Sequence, residues 1–201
     1  IPIGELHMLL NKDPQSEKLR RTQAIANLLF QFCGMPFSDL AHLEKSNLER
    51  GLLKYNRTKT GTPMSIEVLE SAQNAIGGLY NKSDARSSGY PDYLFRILSG
   101  AYKRNEEGAY REYQSALRRF NNELKSLSRK LRLHSPVTSY TLRHSWATTA
   151  KYRGVPIEMI SESLGHKSIK TTQIYLKGFE LEERTKVNKL NYSYVCNFKM
   201  L

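Results

Sequence analysis

The chain has 201 residues, 39% of them hydrophobic, which is enough to bury a core as one domain, or one domain with a small appendage, and argues against disorder. Thirty-one Lys and Arg against nineteen Asp and Glu give a formal charge of +12, which favours a polyanionic partner, nucleic acid well ahead of anionic membrane. No stretch approaches the roughly 18 apolar residues of a spanning helix, no signal peptide is visible, and the start at Ile1 reads as that of a fragment or processed piece. Cys33 and Cys196 alone argue against a disulfide scaffold or a Cys-rich zinc site and fit a reducing cytoplasm.

Taken in chain order, the first clear element lies over 19–32, where Ile25, Leu28, Leu29 and Phe32 recur at helical spacing. Gly34 and Pro36 then act as stop signals, so a buried helix is expected to end at 33-CGMP-36. Over 51–66, two short strand-like runs flank a polar, Gly-containing turn, which predicts a β-hairpin with Lys59 at or near its tip. A helix is expected over 66–80, and the Ser-, Gly- and Pro-rich stretch 81–91 reads as a surface loop.

The strongest periodicity runs over 107–133. Tyr110, Tyr113, Leu117, Phe120, Leu124, Leu127 and Leu131 alternate at spacings of three and four, predicting a long amphipathic helix whose aromatic and leucine stripe faces the core. Its remaining faces carry Arg111, Arg118, Arg119, Lys125, Arg129, Lys130 and Arg132, which suit solvation as well as phosphate contact, and none is assigned a role. Three further helices are expected over 138–154, 156–166 and 168–178. Gly154, Gly165 and Gly178 stand where C-caps belong, and Pro156 suits a first helical turn.

Singly, the candidate residues are ordinary. Tyr175 is one of twelve tyrosines, and tyrosine at helical spacing is usually core. His166 suits a helix C-terminus, and Arg143 with His144 suits a satisfied pair beside Trp146. The combination is more specific. Arg143 in TLRHSWATTA is followed by LGH with His166, and Tyr175 stands nine residues further on in KSIKTTQIY. Upstream, LLFQFCGMPFSDLAHL precedes the hairpin KYNRTKTGTP. These four ordered motifs resemble the catalytic domain of the tyrosine recombinase (phage integrase) family, and most of all the integrases of Bacteroides-type mobile elements, over about residues 17–185.

The resemblance implies a mainly α fold with a small β-hairpin or three-stranded antiparallel sheet. Residues 1–185 would form the catalytic domain and 186–201 a tail exchanged between protomers or docked on its own body, the family's core-binding and arm-binding domains being absent from this chain. The implied function is site-specific DNA recombination through a 3′-phosphotyrosine. Tyr175 would attack a phosphodiester and free a 5′ hydroxyl, so bond energy is kept and no cofactor or metal is needed. Arg143 and His166 would stabilise charge on the pentavalent phosphate. Lys59 would protonate the leaving oxygen, with Arg57 the competing choice. The implied partners are double-stranded attachment-site DNA and further copies of the chain, a tetramer on DNA and a monomer in isolation, in a bacterial cytoplasm at the nucleoid and not on a membrane.

Two departures from the family pattern stand out. Tyr140 occupies the place of a histidine three residues before Arg143. The first catalytic arginine is replaced by Pro36 in one alignment and by Cys33 in the other, while Asp39 is kept, either to orient nearby basic groups or to cap the next helix. These departures support one alternative, a catalytically impaired DNA-binding or regulatory relative; a second, a swivelase resembling type IB topoisomerases, shares the same nucleophile and cation chemistry.

Overall fold

The computed structural model describes residues 1–80, 90–176 and 181–196, with the side chains of 181–183 excepted. Helix α1 (Ile3–Asn11) precedes the first expected element, and the helix expected over 19–32 is α2 (Glu17–Gln31). α1 buries only Leu6 and Leu9. Its last carbonyls are satisfied from α2, where Gln23 Nε2 donates to Leu9 O and Lys12 O, each at 2.9 Å, and Asn27 Nδ2 donates to Leu10 O at 2.7 Å. A nine-residue helix gains its stability from such docking rather than from its own propensity, so its sequence signal is weak.

α2 is the central rod of the main core. Ile25, Ala26, Leu28 and Leu29 are all buried on it, and α1, α4 (Glu70–Leu79), α5 (Glu107–Lys130) and α6 (Ser139–Tyr152) pack around it. After α3 (Phe37–Ala41) and a single 3₁₀ turn at Lys45–Asn47 come strands β1 (Leu48–Glu49), β2 (Leu52–Asn56) and β3 (Pro63–Glu67). They form an antiparallel sheet in that order, with Leu53 opposite Ile66 and Tyr55 opposite Met64. The alternation along β2 turns Leu53 inward and Lys54 outward and carries as far as Arg57, which is buried; it ends in the β2–β3 turn, where Thr58 and Lys59 are both exposed.

One expectation fails on α5. Phe120, Leu124, Leu127 and Leu131 are buried as the stripe requires, and Phe37 stacks on Phe120 with ring centroids 4.7 Å apart. Tyr110 is instead 64% exposed. The buried residue at that end is Ala109, one position round the helix, so the buried line rotates off the tyrosine, and Tyr113 is the last ring that reaches Phe37.

The C-terminal third forms a second, smaller core from Ala147, Ile160, Leu164 and Leu176, against which Trp146 and Tyr175 pack. It joins α6, α7 (Ile157–Ser163) and α8 (Ile169–Tyr175). Thr138 caps α6 by accepting from the backbone N–H of Thr141 at 3.1 Å. Gly154 and Gly165 have positive φ as expected of helix ends, and Pro156 stands at the N-cap of α7, one step before its first turn. Gly178 and residues 81–89 of the expected loop lie outside the described residues. Helix α9 (Leu181–Cys196) follows, and its side chains from Arg184 onward are exposed. Among the described residues no helix is long and apolar enough to cross a membrane. The architecture is mainly α with a small three-stranded antiparallel sheet.

Candidate active site

Arg143 on α6 is only 7% exposed, and its guanidinium is held on three sides. Nη1 donates to Gly34 O at 2.8 Å, while Nη2 donates to Leu164 O at 2.7 Å and faces His166 Nε2 at 3.2 Å. A guanidinium carries five N–H groups, so Nε–H and the second Nη1–H are left for an anion. Burial first, and the neighbouring Arg57 second, lower the Arg143 pKa to about 10, which still leaves it charged at neutral pH.

Arg57, in the β2–β3 turn, comes to the same carbonyl. Its Nη1 donates to Leu164 O, so two guanidinium groups share the last carbonyl of α7, the negative end of that helix. Arg57 is 7% exposed, and its Nε lies 2.6 Å from Asp39 Oδ2 as a charge contact whose N–H is not aligned on the oxygen. Asp39 Oδ1 also accepts from the Thr58 N–H at 3.1 Å. Of its two expected roles, Asp39 therefore performs the first, orienting a basic group from within α3 rather than capping it.

Two glycines make these approaches possible. A Cβ on Gly165, at φ +64°, would lie 2.8 Å from Met64 Sδ and 2.9 Å from Arg57 Cγ. A Cβ on Gly34, at φ +64°, would lie 3.2 Å from the Trp146 Cβ and 3.3 Å from the Arg143 Cα. The Gly34 carbonyl reaches Arg143 because α2 ends in an unusual turn in which Cys33 also adopts positive φ, +55°.

Tyr175 closes α8 beside this pair of cations. Its hydroxyl is buried and has no hydrogen-bond partner among the described residues. Its ring meets those of His144, Tyr140 and His166 edge-on, with centroids 5.1, 5.9 and 5.9 Å apart. Burial raises its pKa well above the usual phenol range, and the Tyr140 phenol adds to this, so at neutral pH it carries its proton. His166 is half-buried, with Nδ1 2.8 Å from Thr172 Oγ1. Burial, then Arg143 and Arg57, lower its pKa to about 4, so the ring is neutral.

Of the residues singled out from sequence, Arg143, His166, Tyr175 and Tyr140 are thus brought together. Tyr140 sits 63% exposed in the first turn of α6. Cys33 is half-buried in the turn that delivers the Gly34 carbonyl, and burial raises its thiol pKa. Lys59 is exposed on the β2–β3 turn. Arg57, the competing choice beside Lys59, is drawn into the same cluster, and Thr172, not singled out from sequence, joins it. The inward alternation Leu53, Tyr55, Arg57 was a signal for the first of these, whereas the second has no local signal. Among the described residues no group of three or more His, Cys, Asp or Glu could hold a metal ion.

The model of the phage integrase family matches residues 4–181, nearly the whole chain. The chain is 30% identical over 185 residues to the probable integrase/recombinase protein of Methanocaldococcus jannaschii, covering 89% of this chain and 52% of that protein. It is also 30% identical over 185 residues to the tyrosine recombinase XerD of Halalkalibacterium halodurans, covering 87% and 56%. The chain therefore spans about half the length of the curated relatives it matches. Two solved structures share the fold. XerA recombinase gives a TM-score of 0.63 at 22% identity over 100% of this chain and 64% of that one. The Tn1549 transposon integrase, in complex with a circular intermediate DNA, gives 0.64 at 15% identity over 94% and 65%. By its matched domain, its relatives and its fold, the chain belongs to the phage integrase family of tyrosine recombinases.

Proposed function

We propose that this chain is the catalytic domain of a site-specific DNA recombinase in which Tyr175 is the nucleophile and Arg143 and Arg57 form the phosphate cradle. The observation that carries the reading is the pair of buried guanidinium groups on one carbonyl, beside a buried tyrosine hydroxyl with no partner among the described residues. Two fixed cations with N–H groups to spare stabilise charge as it develops on a pentavalent phosphate, at no cost in reorganisation. Arg57 takes over the task of the arginine that Pro36 and Cys33 lack. It reaches the site from the hairpin instead of from the end of α2, and Asp39 holds it in place.

In the cleavage step the Tyr175 oxygen bonds to phosphorus, its proton passes to a base, and the bond from phosphorus to the 5′ oxygen breaks. Arg57 is a poor donor for that oxygen, because guanidinium does not give up its proton in proteins. Lys59, exposed on the turn that Arg57 anchors, is the assigned acid. The net charge of +12 suits binding along a duplex. Assembly is assigned to α9. Val187, Leu190, Tyr192, Tyr194 and Val195 are 57–72% exposed on it, a set of apolar side chains suited to docking on a second copy.

Strand-exchange assays on paired cognate sites, run beside relaxation of an unrelated supercoiled plasmid, test the reading. Exchange confined to matched sites is expected. Relaxation of any plasmid without exchange would support the swivelase, and neither activity would support a DNA-binding relative.

A further inference from the structure

The two ring nitrogens of His166 have different partners, and this fixes which of them carries the proton. Nε2 lies 3.2 Å from Arg143 Nη2, and a guanidinium nitrogen only donates, so Nε2 presents its lone pair. The proton of the neutral ring is then on Nδ1, which donates to Thr172 Oγ1 at 2.8 Å. Thr172 is 0% exposed and stands three residues before Tyr175, one turn earlier on the same face of α8. The hydroxyl that orients the imidazole and the phenol beside that imidazole therefore belong to one short rigid element.

We propose that Thr172 is a positioning residue that holds His166 as its Nδ1–H tautomer, and that Nε2 of that ring, its lone pair released when a bound phosphate takes over the Arg143 Nη2–H, receives the Tyr175 proton during attack. The inference rests on Tyr175 being the nucleophile. In the step, the Tyr175 O–H bond breaks and an N–H bond forms at His166 Nε2. The phenolate oxygen bonds to phosphorus as the 5′ oxygen leaves with a proton from Lys59. Religation runs the same transfers backward, so no further reactant is needed.

Among the described residues, three elements face His166: α6 with Arg143, the β2–β3 turn with Arg57, and α8 with Tyr175. Both cations disfavour the imidazolium and keep Nε2 free of a proton at neutral pH. A bound phosphate sets negative charge against both guanidiniums, so the basicity of His166 rises when substrate is present. His144 is the other imidazole against the Tyr175 ring, at 5.1 Å between centroids.

Nitrogen-15 NMR of the free protein, labelled at histidine, reads the tautomer directly. A protonated Nδ1 and an unprotonated Nε2 are expected for His166, and the reverse assignment would overturn the proposal. Single-turnover cleavage of a nicked-site suicide duplex reads the consequence. Thr172→Val should lose about 100-fold in rate at unchanged duplex affinity, while Thr172→Ser, which keeps the hydroxyl, stays within about threefold of the parent. Equal rates in Thr172→Val and the parent would overturn it. So would an acid limb of the rate profile that survives His166→Asn and vanishes in His144→Asn. Tyr175→Phe separates the two readings, because a covalent complex that persists in it refutes the nucleophile, whatever tautomer NMR finds.

Discussion

Arg57 reads in the sequence as one of two basic side chains near a hairpin tip, and its weight appears only when residues 107 positions away are folded onto it. The carbonyl of Leu164 and the carboxylate of Asp39 are both needed to hold a buried guanidinium, and neither lies near Arg57 in the chain. Arg57→Lys should keep most of the stability but lower cleavage about 100-fold or more, since one ammonium cannot both hold the Leu164 carbonyl and fork onto phosphate. Arg57→Ala should in addition lower stability by about 3–5 kcal/mol, because Asp39 is then buried without its cation. Denaturant melts and single-turnover cleavage separate the two effects. His166 gives a second test at this scale. Its pKa is about 4 in the folded chain against an ordinary 6.5, so between those values the unfolded chain binds a proton that the folded one refuses. The stability tied to the neutral ring is full above pH 6.5 and is lost as pH falls toward 4. His166→Gln should therefore flatten the fall in melting temperature over that window, and an unchanged slope would contradict the burial argument.

At the scale of elements, much of the fold was legible because helical period and turn chemistry are local. The apolar spacing of α2 and α5, the glycine ends of α6 and α7, and the hairpin around residue 59 all follow from runs of fewer than thirty residues. α1 was not legible, because its stability comes from α2 side chains that satisfy its carbonyls. The place of Tyr110 was not legible either, since only the partner helices decide which way a stripe turns. The motifs around Arg143, His166 and Tyr175 carried the candidate site, but the reason for their glycines lies in contacts between elements. Gly165→Ala tests this. A methyl 2.9 Å from Arg57 Cγ, on a backbone at φ +64°, must push the Arg57 stem off Leu164. Cleavage should fall with Arg57→Lys-like severity while duplex affinity at fixed salt stays close to the parent's, because one phosphate contact among several carries a small share of binding. Full activity in Gly165→Ala would show that the close approach is dispensable.

The molecule as a whole is a basic body with two cores, the candidate site of Arg57, Arg143, His166 and Tyr175, and a helix, α9, whose described side chains from Arg184 onward are exposed. A chain ending at Glu180 should melt within about 2 °C of the parent, as exposed segments contribute within about ±0.5 kcal/mol. The same chain should fail to form higher assemblies on paired sites, measurable by light scattering of the DNA complexes, if α9 joins neighbouring copies. A large drop in melting temperature would mean instead that α9 belongs to the body of its own chain. Trapping of a covalent protein–DNA complex on a nicked-site suicide duplex is the sharpest test of the chemistry at Tyr175. The parent chain should accumulate a denaturant-resistant complex linked through Tyr175, and Tyr175→Phe, which keeps the ring but not the attacking oxygen, should give none. An undiminished yield of that complex in Tyr175→Phe would rule out Tyr175 as the nucleophile.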